Sequence, residues 1–188
     1  MIVIVGVGGV GSWAVRFFRE ADKETQLLLI DPDTVERKNL RYANFLTKDI
    51  GKSKAKVLAD RYQAGALETG IWNANDFEAL QRSEVFSATE DLFILAVDSI
   101  APRKLLQVAT SQFIDVRAEN RTILLMTHLA TSEYRAAFVS NADQTTRGGC
   151  QTTPELHFGN IVAAARVAEL MQDWAKGRLV AKDAFEVI

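Results

Sequence analysis

The apolar run Ile2 to Val5 opens directly into Gly6-Val7-Gly8-Gly9-Val10-Gly11-Ser12, and a helix-like stretch follows. A strand that enters such a turn and leaves it as a helix is committed to few folds, because each glycine answers a steric demand. One lets the chain reverse, a second lets backbone N–H groups approach a phosphate, and a third lets strand and helix touch. Gly6, Gly8 and Gly11 fill these roles, with Gly9 beside Gly8 in the same loop. The emerging helix N-terminus favours an anion there. The segment reads as a nucleotide phosphate cradle.

The elements that follow extend this opening. A helix is expected over 12–21 and a second apolar strand over 26–30, ending at Asp31, which makes a strand-helix-strand unit with a parallel sheet. Further helices are expected over 53–63 and over 76–81, the latter capped by Asn75, with a short strand at Ile71 and Trp72 between them. Residues 92–97 form a third apolar strand closed by Asp98, and Pro102 suits the first turn of a helix running to about Phe113. In the second half, 122–130 and 134–139 read as an antiparallel pair of strands, 141–153 as a polar loop and 158–174 as a long apolar helix. The pattern from Lys176 onward gives no assignment. The expected fold is α/β, a Rossmann-like doubly wound mixed β-sheet with helices on both faces. We expect one domain over 1–188, since 188 residues with 48% hydrophobic content supply a single substantial core.

Composition excludes several functions. A net charge of -2 gives no basic footprint for nucleic acid. No apolar run reaches the roughly 18 to 20 residues of a membrane span, and the start carries no basic n-region or signal cleavage pattern, so a cytoplasmic protein is expected. The one cysteine, Cys150, rules out an internal disulfide and a multi-cysteine zinc site.

Asp31 stands about 20 residues beyond Gly11, where a carboxylate accepts ribose hydroxyls. Loop and carboxylate together suit a nicotinamide or flavin dinucleotide as well as ATP. The discriminating text is Asp31-Pro32-Asp33-Thr34-Val35-Glu36-Arg37-Lys38-Asn39-Leu40-Arg41, then Asp49-Ile50-Gly51-Lys52-Ser53-Lys54, then Ala96-Val97-Asp98 with Arg103 five positions on. In these linked motifs the chain resembles the ubiquitin-activating-enzyme-like superfamily, the ThiF and MoeB adenylyltransferases, whose members carry GxGGxGS, a DxDxV segment leading to Asn-Leu-x-Arg, and a DxGxxK element. The resemblance runs across nearly the whole chain. One departure is visible: only Leu40 separates Asn39 from Arg41, where the family has two residues. The interval from Arg41 to Lys54 is kept, which places a one-residue deletion before Arg41. A shift falling later puts Tyr42 at the arginine position.

The resemblance implies activation of a carboxylate by attack on the α-phosphate of ATP, with Mg²⁺. Charge then builds on the phosphoryl oxygens and the departing pyrophosphate, so cations must be fixed there beforehand. Arg41, as a fork, and Lys54, as a point charge, are the candidates. Asp98, at the carboxyl end of a strand, suits Mg²⁺. Gly6, Gly8, Gly9, Gly11, Asp31, Asp33 and Asn39 complete the expected nucleotide site.

Cys150 lies in Gly148-Gly149-Cys150-Gln151-Thr152-Thr153-Pro154, just ahead of the last long helix, whose dipole favours a thiolate. The segment looks like the catalytic-cysteine segment of compact activating enzymes that serve ubiquitin-like modifiers, and implies a thioester with the modifier's C-terminal glycine. ThiF uses a comparable cysteine in sulfur transfer. The implied partners are a ubiquitin-like or sulfur-carrier protein ending in glycine, a conjugating enzyme, and a second copy in a homodimer. Homodimeric relatives carry an arginine ahead of the first strand that reaches the partner's ATP, and only Met1 stands there in this sequence. A nicotinamide-dependent oxidoreductase and a non-catalytic binding protein are the competing classes. His128 is expected in an apolar strand as a core residue, and His157 as a weak candidate to orient Cys150. Trp13, Phe17 and Phe18 follow helical spacing and are expected in the core.

Overall fold

The computed structural model describes residues 1–119, 122–135, 154–178 and 184–187. Its described strands form one 7-stranded sheet in the order β3-β2-β1-β4-β5-β6-β7. These are β1 (Ile2–Val5), β2 (Leu27–Ile30), β3 (Gly65–Leu67), β4 (Leu92–Leu95), β5 (Gln112–Glu119), β6 (Thr122–Thr127) and β7 (Ala184–Val187). From β3 through β5 all neighbours are parallel, whereas β6 and β7 are added antiparallel. The expected mixed, doubly wound sheet is what the chain forms.

Every residue of β1, β2 and β4 is buried. That explains continuous apolar runs rather than alternation, because helices cover both faces of a parallel sheet. Ile2 and Ile4 face a cluster with Ala14, Val15 and Phe18 of α1 (Gly9–Ala21), Leu58 of α2 (Lys54–Tyr62) and Val167 and Met171 of the long helix Pro154–Ala175. Val3 and Val5 face the other side, with Phe77 of α3 (Ala74–Arg82) and Leu106 of α4 (Ile100–Ala109). The long helix, α5 here, therefore shares a face with α1. Beyond β1 the chain turns to β2 on one side and later to β4 on the other, so a crevice opens at the carboxyl ends of β1 and β4, where open α/β sheets bind ligands.

Several boundaries differ from the sequence reading. α4 ends at Ala109, where the Thr110 hydroxyl and N–H both donate to Leu106 O (2.7 and 3.0 Å), and Phe113 belongs to β5. The neighbouring apolar residues Phe113 and Ile114 look like a continuing helix but pack on opposite faces of the sheet. The short strand is Gly65–Leu67, not Ile71 and Trp72. α3 begins at Ala74 and Asn73 is its cap, not Asn75: the Asn73 side chain accepts the N–H groups of Asn75 and Asp76, and Asp76 accepts the N–H of Asn73. β6 stops at Thr127, and residues 132–135 are helical instead of starting a strand. Residues 136–139 lie outside the described residues. β7 gives the unassigned tail a place on the antiparallel edge.

Candidate active site

Gly6 takes φ of +88°, a region closed to most side chains, and a Cβ there would lie 2.8 Å from Ala96 O. Its N–H donates to Ile30 O at 2.9 Å, which ties the turn to β2. A Cβ on Gly11 would meet Gly6 O at 2.1 Å, so the strand-helix contact predicted for this glycine is real. Gly8 faces open space, and a Cβ on Gly9 would meet Asn160 Nδ2 at 2.5 Å. The side chain of Asn160, on α5, is fully buried against the loop with neither of its polar atoms hydrogen bonded. No periodicity in the sequence marks it.

Asp31 directly follows β2 and is 5% exposed. Its Oδ2 accepts the N–H of Val7 at 2.8 Å and its Oδ1 the N–H of Asp33 at 2.9 Å, so the carboxylate braces the glycine turn. Each oxygen keeps a second lone pair for a ligand. Burial pushes the Asp31 carboxyl above its ordinary pKa, against the opposing pull of Lys54 and of the Val7 and Asp33 N–H groups. Lys54 opens α2 with its side chain only 10% exposed, and its Nζ donates to Asp33 Oδ2 at 2.7 Å. Asp33 is 64% exposed, so water reaches the carboxylate while the ammonium stays in place.

The crevice is lined by Gly6, Gly8, Gly9, Asp31, Asp33 and Lys54 and by Asp98 from the segment after β4. Asp98 is exposed and accepts a hydrogen bond from the Ser99 hydroxyl at 3.3 Å. These are seven of the residues that the motifs selected, brought to one place from β1, β2, α2 and β4. Gly11 stands behind them. Arg41 is exposed at the end of the 3₁₀ turn Arg37–Arg41 and is not in the lining. Asn39 is buried outside the crevice, with Oδ1 accepting the Glu36 N–H at 2.7 Å and Nδ2 donating to the Tyr42 hydroxyl at 2.7 Å. Cys150 lies outside the described residues, as does the side chain of His157.

Arg103, paired with Asp98 in the motif, turns away from the crevice. Its guanidinium is buried and donates to Leu95 O (3.2 Å), Val97 O, Val116 O (3.1 Å) and the buried carboxylate of Asp115. It thereby fixes the segment that presents Asp98. His128 follows β6, beside Phe113 at the amino end of β5 and so at the far edge from the crevice. Burial lowers its pKa, against the Phe113 carbonyl, which raises it. Tyr42 and Trp72, read differently or left open in the sequence, also line the crevice. Trp72 is 58% exposed, with its indole against Gly70, where a Cβ would come within 2.4 Å of the ring. A glycine directly before an apolar pair was the signal for this wall.

Among the described residues, no three His, Cys, Asp or Glu side chains converge on a metal position. Asp98 is a single carboxylate beside the phosphate loop. That donor set fits Mg²⁺, which takes one or two carboxylates and fills its shell with phosphate oxygens and water.

A glycine cradle, a buried carboxylate after β2, a sheltered lysine and a carboxylate after β4 define a nucleotide-binding α/β domain of the adenylyltransferase type. The chain belongs to the ThiF family, which matches residues 1–172. Over 104 residues it is 32% identical to the tRNA threonylcarbamoyladenosine dehydratase of Escherichia coli K12, a match covering 54% of this chain and 38% of that protein. Its fold is similar to that of E. coli MccB solved with AMPCPP and MccA, with a TM-score of 0.67, 18% identity and coverage of 99% of this chain and 63% of that one. E. coli MccB solved with ATP gives a TM-score of 0.65, 20% identity and coverage of 94% and 55%. The E. coli dehydratase TcdA gives a TM-score of 0.61, 16% identity and coverage of 94% and 87%. The chain thus spans less than two thirds of the curated relative and of the MccB chains. Among the described residues no helix is long and apolar enough to cross a membrane.

Proposed function

We propose that the crevice binds ATP and adenylates a carboxylate, specifically the C-terminal glycine of a ubiquitin-like or sulfur-carrier protein. The observation that carries this reading is Lys54: an ammonium only 10% exposed that lines one crevice with the glycine cradle and Asp98. A nicotinamide site asks for neither group. In the step itself a carboxylate oxygen of the substrate bonds to the α-phosphorus, the bond from that phosphorus to the β-bridging oxygen breaks, and pyrophosphate leaves. The loop N–H groups and Lys54 hold the phosphoryl oxygens as their charge grows, and Asp31 fixes the loop and receives the ribose. Asp98 would hold Mg²⁺, which neutralises phosphate charge when bound. That MccB was solved with ATP, and with AMPCPP and MccA together, supports a site for a nucleotide beside a polypeptide substrate.

In the activating-enzyme form of this reading, the Cys150 thiolate attacks the acyl-adenylate, a thioester forms and AMP departs. In the sulfur-carrier form the product is a thiocarboxylate and a sulfur donor is required. Action in a homodimer, alongside a conjugating enzyme and in the cytoplasm, belongs to the same proposal. The similarity to the tRNA-modifying dehydratase favours a second reading, in which the activated group is carried on tRNA; the net charge of -2 speaks against it.

Pyrophosphate exchange into ATP tests the proposal. Exchange is expected only with magnesium and a glycine-terminated carrier protein, with loss in Asp98→Ala. A reducible adduct with the carrier that disappears in Cys150→Ala while exchange persists identifies the thioester form. Exchange driven by tRNA and not by any carrier protein selects the second reading.

A further inference from the structure

The segment after β2 brings a tyrosine, not an arginine, to the crevice. Tyr42 lines it, whereas Arg41, one residue earlier, is exposed and outside the lining. The Tyr42 backbone is anchored, its carbonyl accepting from Trp13 Nε1 at 3.2 Å and its N–H donating to Asn39 O at 3.2 Å. Its hydroxyl is oriented by hydrogen-bond accounting. The N–H of Glu36 can only donate, so the Asn39 side-chain atom facing it at 2.7 Å is the oxygen. The Asn39 amide nitrogen then faces the Tyr42 hydroxyl at 2.7 Å, and an NH₂ group can only donate. The phenolic oxygen is therefore an acceptor toward the protein, and its own hydrogen is left to donate elsewhere. Among the described residues nothing accepts it.

We propose that Tyr42, set by Asn39, donates this hydrogen to a phosphate oxygen of the bound nucleotide, in the place where Arg41 was expected to act. The inference rests on the nucleotide reading of the crevice and adds a neutral donor to it. Lys54 is then the cationic side chain that the described lining offers the phosphates. Asn39 acts through the tyrosine as a positioning residue. Replacing it by aspartate keeps the acceptor for Glu36 but turns the second atom into an oxygen, which draws the phenolic hydrogen inward and away from the crevice.

The test is calorimetric titration of the full chain with Mg-ATP and, separately, adenosine. Hydrogen bonds to charged groups contribute enough that Tyr42→Phe is expected to weaken ATP about 10-fold and leave adenosine within about 2-fold. Arg41→Ala should stay within about 2-fold for both. Asn39→Asp should weaken ATP, with a smaller effect in the Tyr42→Phe background than alone. Unchanged ATP affinity in Tyr42→Phe, equal losses for ATP and adenosine, a loss confined to Arg41→Ala, or additive effects of Asn39→Asp and Tyr42→Phe would each overturn the assignment. A wild-type protein that binds neither ligand removes the nucleotide reading itself, and the Tyr42 assignment with it.

Discussion

Two cation-carboxylate pairs stand on either side of β1 and β4 in the parallel part of the sheet, and they differ in what surrounds them. Arg103 and Asp115 are sealed, with side chains 6% and 0% exposed; the guanidinium also donates to the carbonyls of Leu95, Val97 and Val116, and Gln107 Nε2 donates to the carboxylate at 2.6 Å. Lys54 and Asp33 stand at the crevice, with the ammonium 10% exposed and the carboxylate 64% exposed. A sealed pair is out of a ligand's reach and has everything to lose on truncation. A pair with one wet partner can exchange that partner for a phosphate without stranding a charge. The motif places Arg103 beside Asp98 in the chain, yet the geometry gives it a structural role, while Lys54 keeps the proposed functional one.

Substitutions that separate the two pairs follow in order of expected effect. Arg103→Ala strands the Asp115 carboxylate and should cost about 3–5 kcal/mol of stability in urea unfolding. The double change Arg103→Met with Asp115→Leu should cost less than Arg103→Ala, because no charge is left unpaired. A loss below about 1 kcal/mol in Arg103→Ala would break the contrast. Lys54→Met should cost less stability than Arg103→Ala, since Asp33 remains hydrated and the buried Asp31 keeps the Val7 and Asp33 N–H groups, while pyrophosphate exchange falls roughly 10²- to 10³-fold. A large stability loss with exchange retained would reverse the roles of the two pairs.

The loop between them is next. Gly11→Ala places a methyl 2.1 Å from Gly6 O, a backbone atom, and 3.5 Å from the Ala96 Cβ. Overpacking of this kind is expected to destabilise by about 1–3 kcal/mol and to abolish nucleotide binding with it. A nucleotide affinity equal to that of the native protein would show that the loop relaxes freely. Trp72 should report ligand from the crevice lining. Its fluorescence is expected to change on addition of ATP, and Trp72→Ala to weaken ATP by about 1 kcal/mol if the indole stacks on the base. Equal affinity would leave Trp72 as a bystander.

The smallest effect concerns Asp31. Its pKa is raised in the fold, chiefly by burial, so the folded state holds the proton more tightly than the unfolded chain. Its stabilising contribution is therefore full below the unfolded value, about pH 3.9, and is lost as pH rises through the folded value. The stability of the native protein minus that of Asp31→Asn should decline from about pH 4 toward neutrality. A rising difference would show that the Val7 and Asp33 N–H groups and Lys54 outweigh burial, and a constant one that they balance it; either would contradict the raised pKa.

The parallel half of the sheet was legible because each of its residues answers several demands at once. The strands Ile2–Val5 and Leu92–Leu95 are buried on both faces, so their apolar runs admit no other reading, and Gly6 and Gly11 are held by contacts that allow no Cβ. Asp31, Asp33, Lys54 and Asp98 then fall at strand and helix ends by spacing alone. The antiparallel half was less legible. Phe113 and Ile114 serve opposite faces, but as adjacent apolar residues after a helix they continue its pattern. β7 has four residues and gains its identity only by pairing with β6, which no local pattern records. Within the site, Arg41 and Tyr42 could not be ranked from the chain, because their difference lies in which way a five-residue 3₁₀ turn faces. Asn160 was invisible for a related reason: its meaning lies in Gly9, distant in sequence and joined to it only by the packing of α5 on α1.

The central claim is that the crevice is an ATP site built around Lys54. Parallel titrations of the native chain and of Lys54→Met with Mg-ATP and with NADH test it most directly. Saturable binding of Mg-ATP that Lys54→Met weakens at least about 10-fold, with no saturable NADH binding, is the expected result. Tight NADH binding without ATP binding, or ATP binding indifferent to Lys54, would contradict it.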